Sequence, residues 1–402
     1  MRVTVDSSQS STKTLPAVLV TDANQRSALA VVRSLGRAGV PVIACDTSES
    51  AIAGASRYCK RYVSCPDSRQ APLAFIDWVA RYCREQGIKA VFPVTETSSQ
   101  ALLMHQERLG DIELPFTDFE RLISIADKAS LLDQARACGL EIPKGFYYER
   151  GADVPTTLPL KPPFIAKPSR SNHWLGDRWL PTEVTLVRSE SQWQDLLSQR
   201  QDLREHPILL QEFIPGRGAG IFALYNHGAA LSFFAHRRLR EKPPGGGVSV
   251  WSESCQPDTE IEQQAKAILD RVQWHGVAMV EFRVDEQGKA WLMEVNTRFW
   301  GSLQLAIDAG FDFPWLLYQS CILKQEVAAP RWQAGNRLRW WLGDFDRLYL
   351  VLKSADFSAA DKCRAILQFF RPDRRTRHEV NRWRDLKPAW LELKQWLSAL
   401  RN

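Results

Sequence analysis

The chain has 402 residues, 45% of them hydrophobic and 24% charged, with a formal net charge of +6. That composition suits a globular protein of two or three domains, each with its own core, and excludes a disordered or low-complexity chain. No apolar run approaches the roughly 20 residues of a membrane span, and the eight cysteines form no CxxC pair, which argues against a disulfide framework or zinc site and for a reducing, cytoplasmic setting.

The opening MRVTVDSSQSSTKT carries no apolar signal segment, and residues 1–16 are expected to be a loose polar tail. Residues 17–115 alternate strand and helix patterns: AVLVTD, then SALAVVRSLGRAG, VPVIACD, LAFIDWVARYCREQG and KAVFPVT. The alternation predicts an α/β, doubly wound parallel sheet. The first strand–helix turn, TDANQRS, has no glycine, so the phosphate cradle of a dinucleotide site is absent and a substrate-side domain is the better reading. Ligands in such sheets bind beyond the carboxyl ends of the strands. That makes Asn24, Gln25 and Arg26, with Thr95, Glu96 and Ser98, the substrate-side candidates, polar loop and helix-cap duty being the plain alternative.

Residues 116–163 read as a helical connector, in which ADKASLLDQARACG is a helix capped by Asp127 and stopped by Gly139. Strand-rich pieces follow: PFIAKPS, HPILLQEFIPG and GIFALYNHGAALSFFAHRRLR, then the helix QAKAILDRVQWHG. A mixed antiparallel α+β region fits them. After Pro330 the pattern is helical, with SAADKCRAILQFFR and LKPAWLELKQWLSAL, and residues 331–402 hold 16 Lys+Arg against 8 Asp+Glu. Basic residues among aromatics can mark a nucleic-acid or anionic-membrane surface. Leu386, Trp390, Leu393 and Leu397, however, recur at the helical spacing of a face packed on a core. The tail is therefore expected to pack on the body or on a subunit neighbour, with Arg371, Arg374, Arg375, Arg377, Arg382 and Arg384 in a solvated loop. No nucleic-acid partner and no membrane span are expected.

The most informative stretch is VAMVEFRVDEQGKAWLMEVNTRFWG, residues 277–301, a predicted β-hairpin. A turn centred on Gln287-Gly288 sets Glu281 directly opposite Glu294; a three-residue turn would slip Glu281 opposite Met293 instead. Facing carboxylates repel across a strand pair, and a bound cation turns that cost into a gain. Asn296 and Arg298 follow Glu294 at steps of two, on the same face while the strand persists. Two carboxylates and an amide oxygen suit Mg²⁺, a hard ion that often reaches protein through nucleotide phosphates.

Lys167 ends the apolar strand PFIAK, and Lys128 opens the capped helix. Two lysines beside a cation site match a polyphosphate, although a lysine at a strand end is commonly only a surface residue. Gln211, Glu212, Phe213 and Ile214 leave a strand for a Pro-Gly turn, either a plain strand end or a hinge whose backbone reads an adenine edge. Arg237, Arg238 and Arg240 precede PPGGGVS, with Gly246 and Ser249 in it. Arginine forks match carboxylate and phosphate oxygens and glycines allow close backbone approach, so this segment is assigned to substrate or γ-phosphate, a bare surface turn being the alternative.

Lys128 in DKAS, Lys167 in PFIAKP, QEFIPG, Glu281 in VEF and the E-x-N-x-R of MEVNTRFWGS resemble, in order and spacing, the ATP-grasp superfamily over about residues 17–325. The chain looks most like predicted ATP-dependent carboxylate–amine ligases. The resemblance implies a Rossmann-like pre-ATP-grasp domain over 17–115, an ATP-grasp fold over 116–325 and a basic, Trp-rich helical extension over 326–402. It also implies a ligase that forms an acyl-phosphate and then an amide from small carboxylate and amine substrates, with a homodimer kept open. Its cofactors would be ATP and Mg²⁺, two ions bridged by Glu294, with Mn²⁺ as a substitute. Lys128 and Lys167 would contact ATP, and residues 211–214 the adenine. Glu281, Glu294 and Asn296 would hold metal, while Arg298 would act on the transferring phosphoryl group; Arg240, from the arginine-rich segment, is the second catalytic candidate. In place of the glycine-rich loop many members have after the second lysine, this chain has SRSNHWLGDR, with Ser169, Arg170 and Ser171. The rival activities are carboxyphosphate formation from bicarbonate, phosphorylation of another acceptor, or a non-catalytic nucleotide-binding scaffold with a basic docking tail.

Overall fold

The structure, a computed structural model, describes residues 14–200 and 202–401; most of the tail expected over 1–16 lies outside the described residues. The first unit is built from β1 (Val18–Val20), α1 (Arg26–Arg37), β2 (Val42–Asp46), β3 (Arg61–Ser64), α2 (Pro72–Gln86), β4 (Ala90–Phe92) and α3 (Glu96–Met104). Its four strands run parallel in the order β3-β2-β1-β4. The wholly apolar VLV occupies the centre beside β2, and the half-polar RYVS takes one edge; AVF, at the other edge, is kept buried and bridges to Glu113. Helix α1 is buried from Ser27 through Leu35, including Arg33, so it is an interior helix and not a surface one.

Helices α4 (Phe119–Ala126) and α5 (Lys128–Ala137) form the connector, and Asp127 caps α5 by accepting from the backbone N–H of Ala129 and Ser130. Next come β5 (Gly145–Tyr148), β6 (Phe164–Pro168), β7 (Asn172–Trp174), β8 (Trp179–Pro181), β9 (Thr185–Val187), α6 (Glu190–Gln199), α7 (Asp202–Glu205) and β10 (Ile208–Glu212). The antiparallel sheet β5-β10-β6-β9 has a small core of its own around Phe164, Trp193, Ile208 and Leu210, and β7-β8 is a separate hairpin.

The third sheet involves β11 (Arg217–Asn226), β12 (Ala229–Lys242), β13 (Val248–Cys255), α8 (Thr259–Arg271), β14 (Gly276–Val284) and β15 (Ala290–Asn296), followed by α9 (Leu303–Ala309) and α10 (Phe313–Cys321). Residues 213–216 link the small sheet to this one. Only glycine fits at 216, because φ is +139° and a Cβ there would meet the Val284 carbonyl oxygen at 2.1 Å.

The C-terminal segment comprises β16 (Arg337–Arg339), α11 (Trp341–Lys353), α12 (Ala359–Phe370), β17 (Thr376–His378) and α13 (Lys387–Ala399). The helical expectation is incomplete here: β16 and β17 extend the large sheet to seven strands, β15-β14-β11-β12-β13-β16-β17. Leu338 is buried between flanking arginines that pair with Asp344, Glu253 and Asp373, which stabilises a strand too short to be read from its sequence. The segment does pack on the body. Asp385 accepts from Arg33 Nε at 2.8 Å, Ser56 Oγ at 2.7 Å and the Arg57 N–H at 2.9 Å, while Arg33 also donates to the Glu379 and Val380 carbonyls. Two details are corrected. Whereas Arg371, Arg374, Arg375, Arg377 and Arg384 of the arginine cluster are exposed as expected, Arg382 is not solvated, being half-buried and paired with Asp308. Nor does the stripe of Leu386, Trp390 and Leu397 face the core, for all three are exposed.

Candidate active site

The hairpin β14–β15 places Glu281 opposite Glu294, by a route other than the one expected. Near the turn Val284 pairs with Ala290 and Phe282 with Leu292, the register of a three-residue turn. Met293 is then an extra residue, and this β-bulge restores Glu281↔Glu294 and Met279↔Asn296. The Leu292 N–H beside the bulge is satisfied by the Glu141 carbonyl at 2.9 Å.

Across the large sheet the same row continues from Glu281 to Gly220 on β11 and His236 on β12. Glycines at 218 and 220 leave β11 without side chains on this face. Arg238 of β12 lies over Gly218 and reaches Glu281 of β14, donating at 2.8 Å. The Asn296 amide donates to Glu281 at 3.0 Å and to Glu294 at 3.4 Å, and turning it over would present its oxygen to the same point. The result is a cavity of about 430 Å³, walled also by Arg26, Ser249, Met279, Arg298 and Trp300.

Charge in this cavity is strongly coupled. Burial and the facing Glu294 push the Glu281 carboxyl up, against the pull of Arg238. Burial raises Glu294 too, but Lys128, Lys167 and Arg298 together outweigh it and hold that carboxyl below its usual range. Burial, with Lys128 nearby, lowers the Lys167 ammonium to about 8 despite Glu294. Burial and Arg238 hold His236 at about 3, a neutral imidazole in the cavity wall. Both lysines are buried, Lys128 on the first turn of α5 and Lys167 on β6, so neither is a surface residue.

A second cavity of about 330 Å³ shares Arg26, Glu294, Asn296, Arg298 and Gly301 with the first and opens toward the parallel sheet, where Gln25, Arg69, Glu96, Ser171 and Asn172 line it. Arg26 is held there by an ion pair with Glu379 and by stacking 3.8 Å over the Trp340 ring. The C-terminal segment thus fixes a side chain of the cleft. Arg170 bonds Asp127 at 2.8 Å, and the β7–β8 hairpin docks on the first unit through Trp179 N–H to the Arg69 carbonyl.

Several expected residues lie elsewhere. Arg240 is buried against Asp344 at 2.6 Å and stacks on Trp251, and Arg237 pairs with Glu253 at 2.7 Å; both leave the cleft. The alternation sends Arg237 to the far face, and the register shift after Arg238 sends Arg240 there as well. Asn24 is spent on Ser48, Ile52 and Gln395. Ser98 serves the α3 cap and the buried Asp22; Thr95 does the same but also lines the second cavity, as expected. Gly247 and Val248, rather than Gly246, join Ser249 at the cavity. Residues 211–214 line neither cavity: Glu212 accepts from the Lys144 N–H at 2.8 Å and the Ile214 carbonyl from Arg283 at 3.3 Å. Of the lining residues not anticipated, Met279 and His236 were within reach of a period-two reading from Glu281 and Arg238. Arg69 had no local signal.

Among the described residues no group of three or more His, Cys, Asp or Glu could hold a metal by itself. The donor set present is two carboxylates and a reversible amide, which fits a magnesium ion that completes its shell with water and phosphate oxygens.

The family model described as ATP-grasp in the biosynthetic pathway with Ter operon matches residues 204–342. Among solved structures the chain is similar to an L-amino acid ligase from Bacillus licheniformis, at 19% identity and TM-score 0.59 over 77% of this chain and 75% of that one. It is also similar to N5-carboxyaminoimidazole synthetase from Staphylococcus aureus complexed with ADP, at 13% identity and TM-score 0.61 over 85% and 86% of the two chains. A biotin carboxylase–beta-gamma-ATP complex from Campylobacter jejuni gives 13% and 0.61 over 80% and 74%. A comparison with curated protein sequences finds no match. Residues 204–342 thus match an ATP-grasp family model, and the chain shares the fold of these solved structures.

Proposed function

We propose that this protein is an ATP-dependent ligase that activates a substrate carboxylate as an acyl-phosphate and joins it to an amine, releasing ADP and phosphate. The observation that carries this reading is the Glu281–Glu294 pair in one cavity with Arg298, Arg26 and Arg238, with the buried Lys128 and Lys167 near enough to hold the Glu294 carboxyl down. Direct attack on a carboxylate fails because oxide is a poor leaving group. Phosphoryl transfer, by contrast, is mainly positioning and charge neutralisation, which these residues supply without a protein nucleophile. Glu281, Glu294 and Asn296 would hold magnesium, whose chemistry is to neutralise phosphate oxygens. Lys128 and Lys167 would bind the ATP phosphates, with residues 211–214, the end of β10 and the start of the link, beside the adenine. Arg298, which lines both cavities, would stabilise charge on the transferring group. Gln25, Arg26, Glu96, Arg238 and Ser249 would orient the carboxylate and the amine. The same reading makes residues 17–115 a Rossmann-like pre-ATP-grasp domain, 116–325 the ATP-grasp unit and 326–402 an extension, in a cytoplasmic enzyme.

The likeness to an L-amino acid ligase supports amide formation. A screen of amino acids, small carboxylates and amines for ADP release, with product masses measured, tests it. Release that needs both an acid and an amine, with a product mass equal to their sum less water, is expected. Release driven by bicarbonate alone would instead assign carboxyphosphate formation, and nucleotide binding without turnover would assign a scaffold.

A further inference from the structure

Thirteen of the twenty large hydrophobic side chains exposed among the described residues lie between Trp341 and Leu400. Helix α13 carries the most ordered of them. Trp390 is 71% exposed, Leu397 46% and Leu400 64%, on a stripe that begins at Leu386. The turn before the helix holds Trp383 outward at 92%. Spacings of four, three, four and three through Leu386, Trp390, Leu393, Leu397 and Leu400 describe one apolar face. A shallow trough of about 740 Å³ runs along it.

The charges beside this face are all of one sign. Lys387, Lys394 and Arg401, each seven residues from the next, flank it and are exposed. The helix's one acid, Glu392, points inward to the Trp340 indole N–H, on the side that also bonds Asn24 through Gln395 and Asp346 through Trp396. Nearby acids are likewise spent, Asp385 on Arg33 and Asp346 on Lys242. Exposed Arg384, next to Trp383 in the turn before the helix, adds to this positive charge.

We propose that α13 and the Trp383 turn dock this protein, lying in plane, on an anionic lipid bilayer. An apolar face with tryptophans, bordered by cations alone, is the composition of a helix seated at the headgroup boundary. No helix of the described residues is long and apolar enough to cross a membrane, so the attachment is to one leaflet surface. A second copy on this face would set its cations beside those of the first with no acid to answer them. Nucleic acid would answer the charge but leave Leu386, Leu397 and Leu400 without apolar partners. A bilayer answers both, acyl chains for the stripe and lipid phosphates for Lys387, Lys394 and Arg401. Because the inward side of α13 carries its contacts to the body, docking leaves the cleft's scaffold in place.

The test is cosedimentation of the full chain with vesicles of phosphatidylcholine alone or with one-third phosphatidylglycerol. Binding to the anionic vesicles should be tighter by about tenfold or more and weaken with salt. The double variant Trp390→Asp/Leu397→Asp and the triple variant Lys387→Glu/Lys394→Glu/Arg401→Glu should each lose it, with unfolding temperature and nucleotide binding unchanged. Equal binding to both vesicle types, or binding kept by either variant, would overturn the proposal. So would a doubled solution mass that Trp390→Asp abolishes, or a nucleic-acid affinity lost only in the charge variant.

Discussion

Arg238 of β12 donates to Glu281 of β14 at 2.8 Å although a whole strand, β11, lies between them. The bond exists because Gly218 and Gly220 leave the intervening surface bare, and a Cβ at position 218 would touch the Arg238 guanidinium at 3.6 Å. Alanine therefore fits at 218, whereas leucine must displace Arg238 and leave Glu281 facing Glu294 without its cation. Gly218→Leu should fold yet lower turnover on the order of tenfold, about 1.4 kcal/mol, with Gly218→Ala close to wild type. Steady-state ADP release by the two variants decides it, and equal loss in both would show that the lane of glycines serves only the backbone.

Arg298 lines both cavities and, among the described residues, donates one hydrogen bond, to the Phe299 carbonyl at 3.0 Å. Its role on the transferring group predicts that Arg298→Ala lowers kcat by about a hundredfold while nucleotide affinity changes little. Comparing kcat with a directly measured ADP dissociation constant separates the effects. A variant whose only defect is weaker nucleotide binding would reduce Arg298 to a binding residue.

The hairpin was legible because strand formers, turn residues and paired acids coincide within 25 residues, from Val277 to Gly301. Even so, its register came out right through two features that cancel, a three-residue turn and a bulge at Met293, and only the pairing could be anticipated. Strand β3 is not legible in the sequence because RYVS is short and half polar. The arginines of β12 show the other limit. Alternation sorts Arg237 from Arg238, but nothing in the local sequence announces the register shift that carries Arg240 away from the cleft. Contacts between distant segments were illegible for a plainer reason. Arg33 and Asp385 are 352 positions apart, and each looks like an ordinary surface charge until the fold buries them together.

That buried pair yields a stability prediction. Asp385→Ala would leave Arg33 in the interior without a counter-ion, which costs about 3–5 kcal/mol. Denaturant unfolding should show it, and a chain cut after Pro330 should aggregate, having lost Asp385 and the two outer strands of the large sheet. A soluble, active truncated enzyme would mean that the C-terminal segment is dispensable to the body.

Glu392 gives a pH signature. Burial raises its carboxyl to about 7 even though the Trp340 N–H donates to it. With the folded value above the unfolded one, the protonated form favours folding. Its contribution is therefore full below about pH 4.5 and is lost as pH rises through 7, on the order of 2 kcal/mol. Glu392→Gln should flatten the stability profile across that window, measured by unfolding at a series of pH values. A variant that keeps the wild-type slope would place the titration elsewhere.

The most direct measurement of the account is Mg²⁺-dependent ADP release by wild type and Glu294→Gln, with substrates drawn from the acid and amine screen and the fold checked by unfolding. Loss of turnover in a folded Glu294→Gln protein is the predicted result. Turnover at the wild-type rate and the same Mg²⁺ dependence would contradict the assignment of the Glu281–Glu294 pair as the metal-holding heart of a ligase.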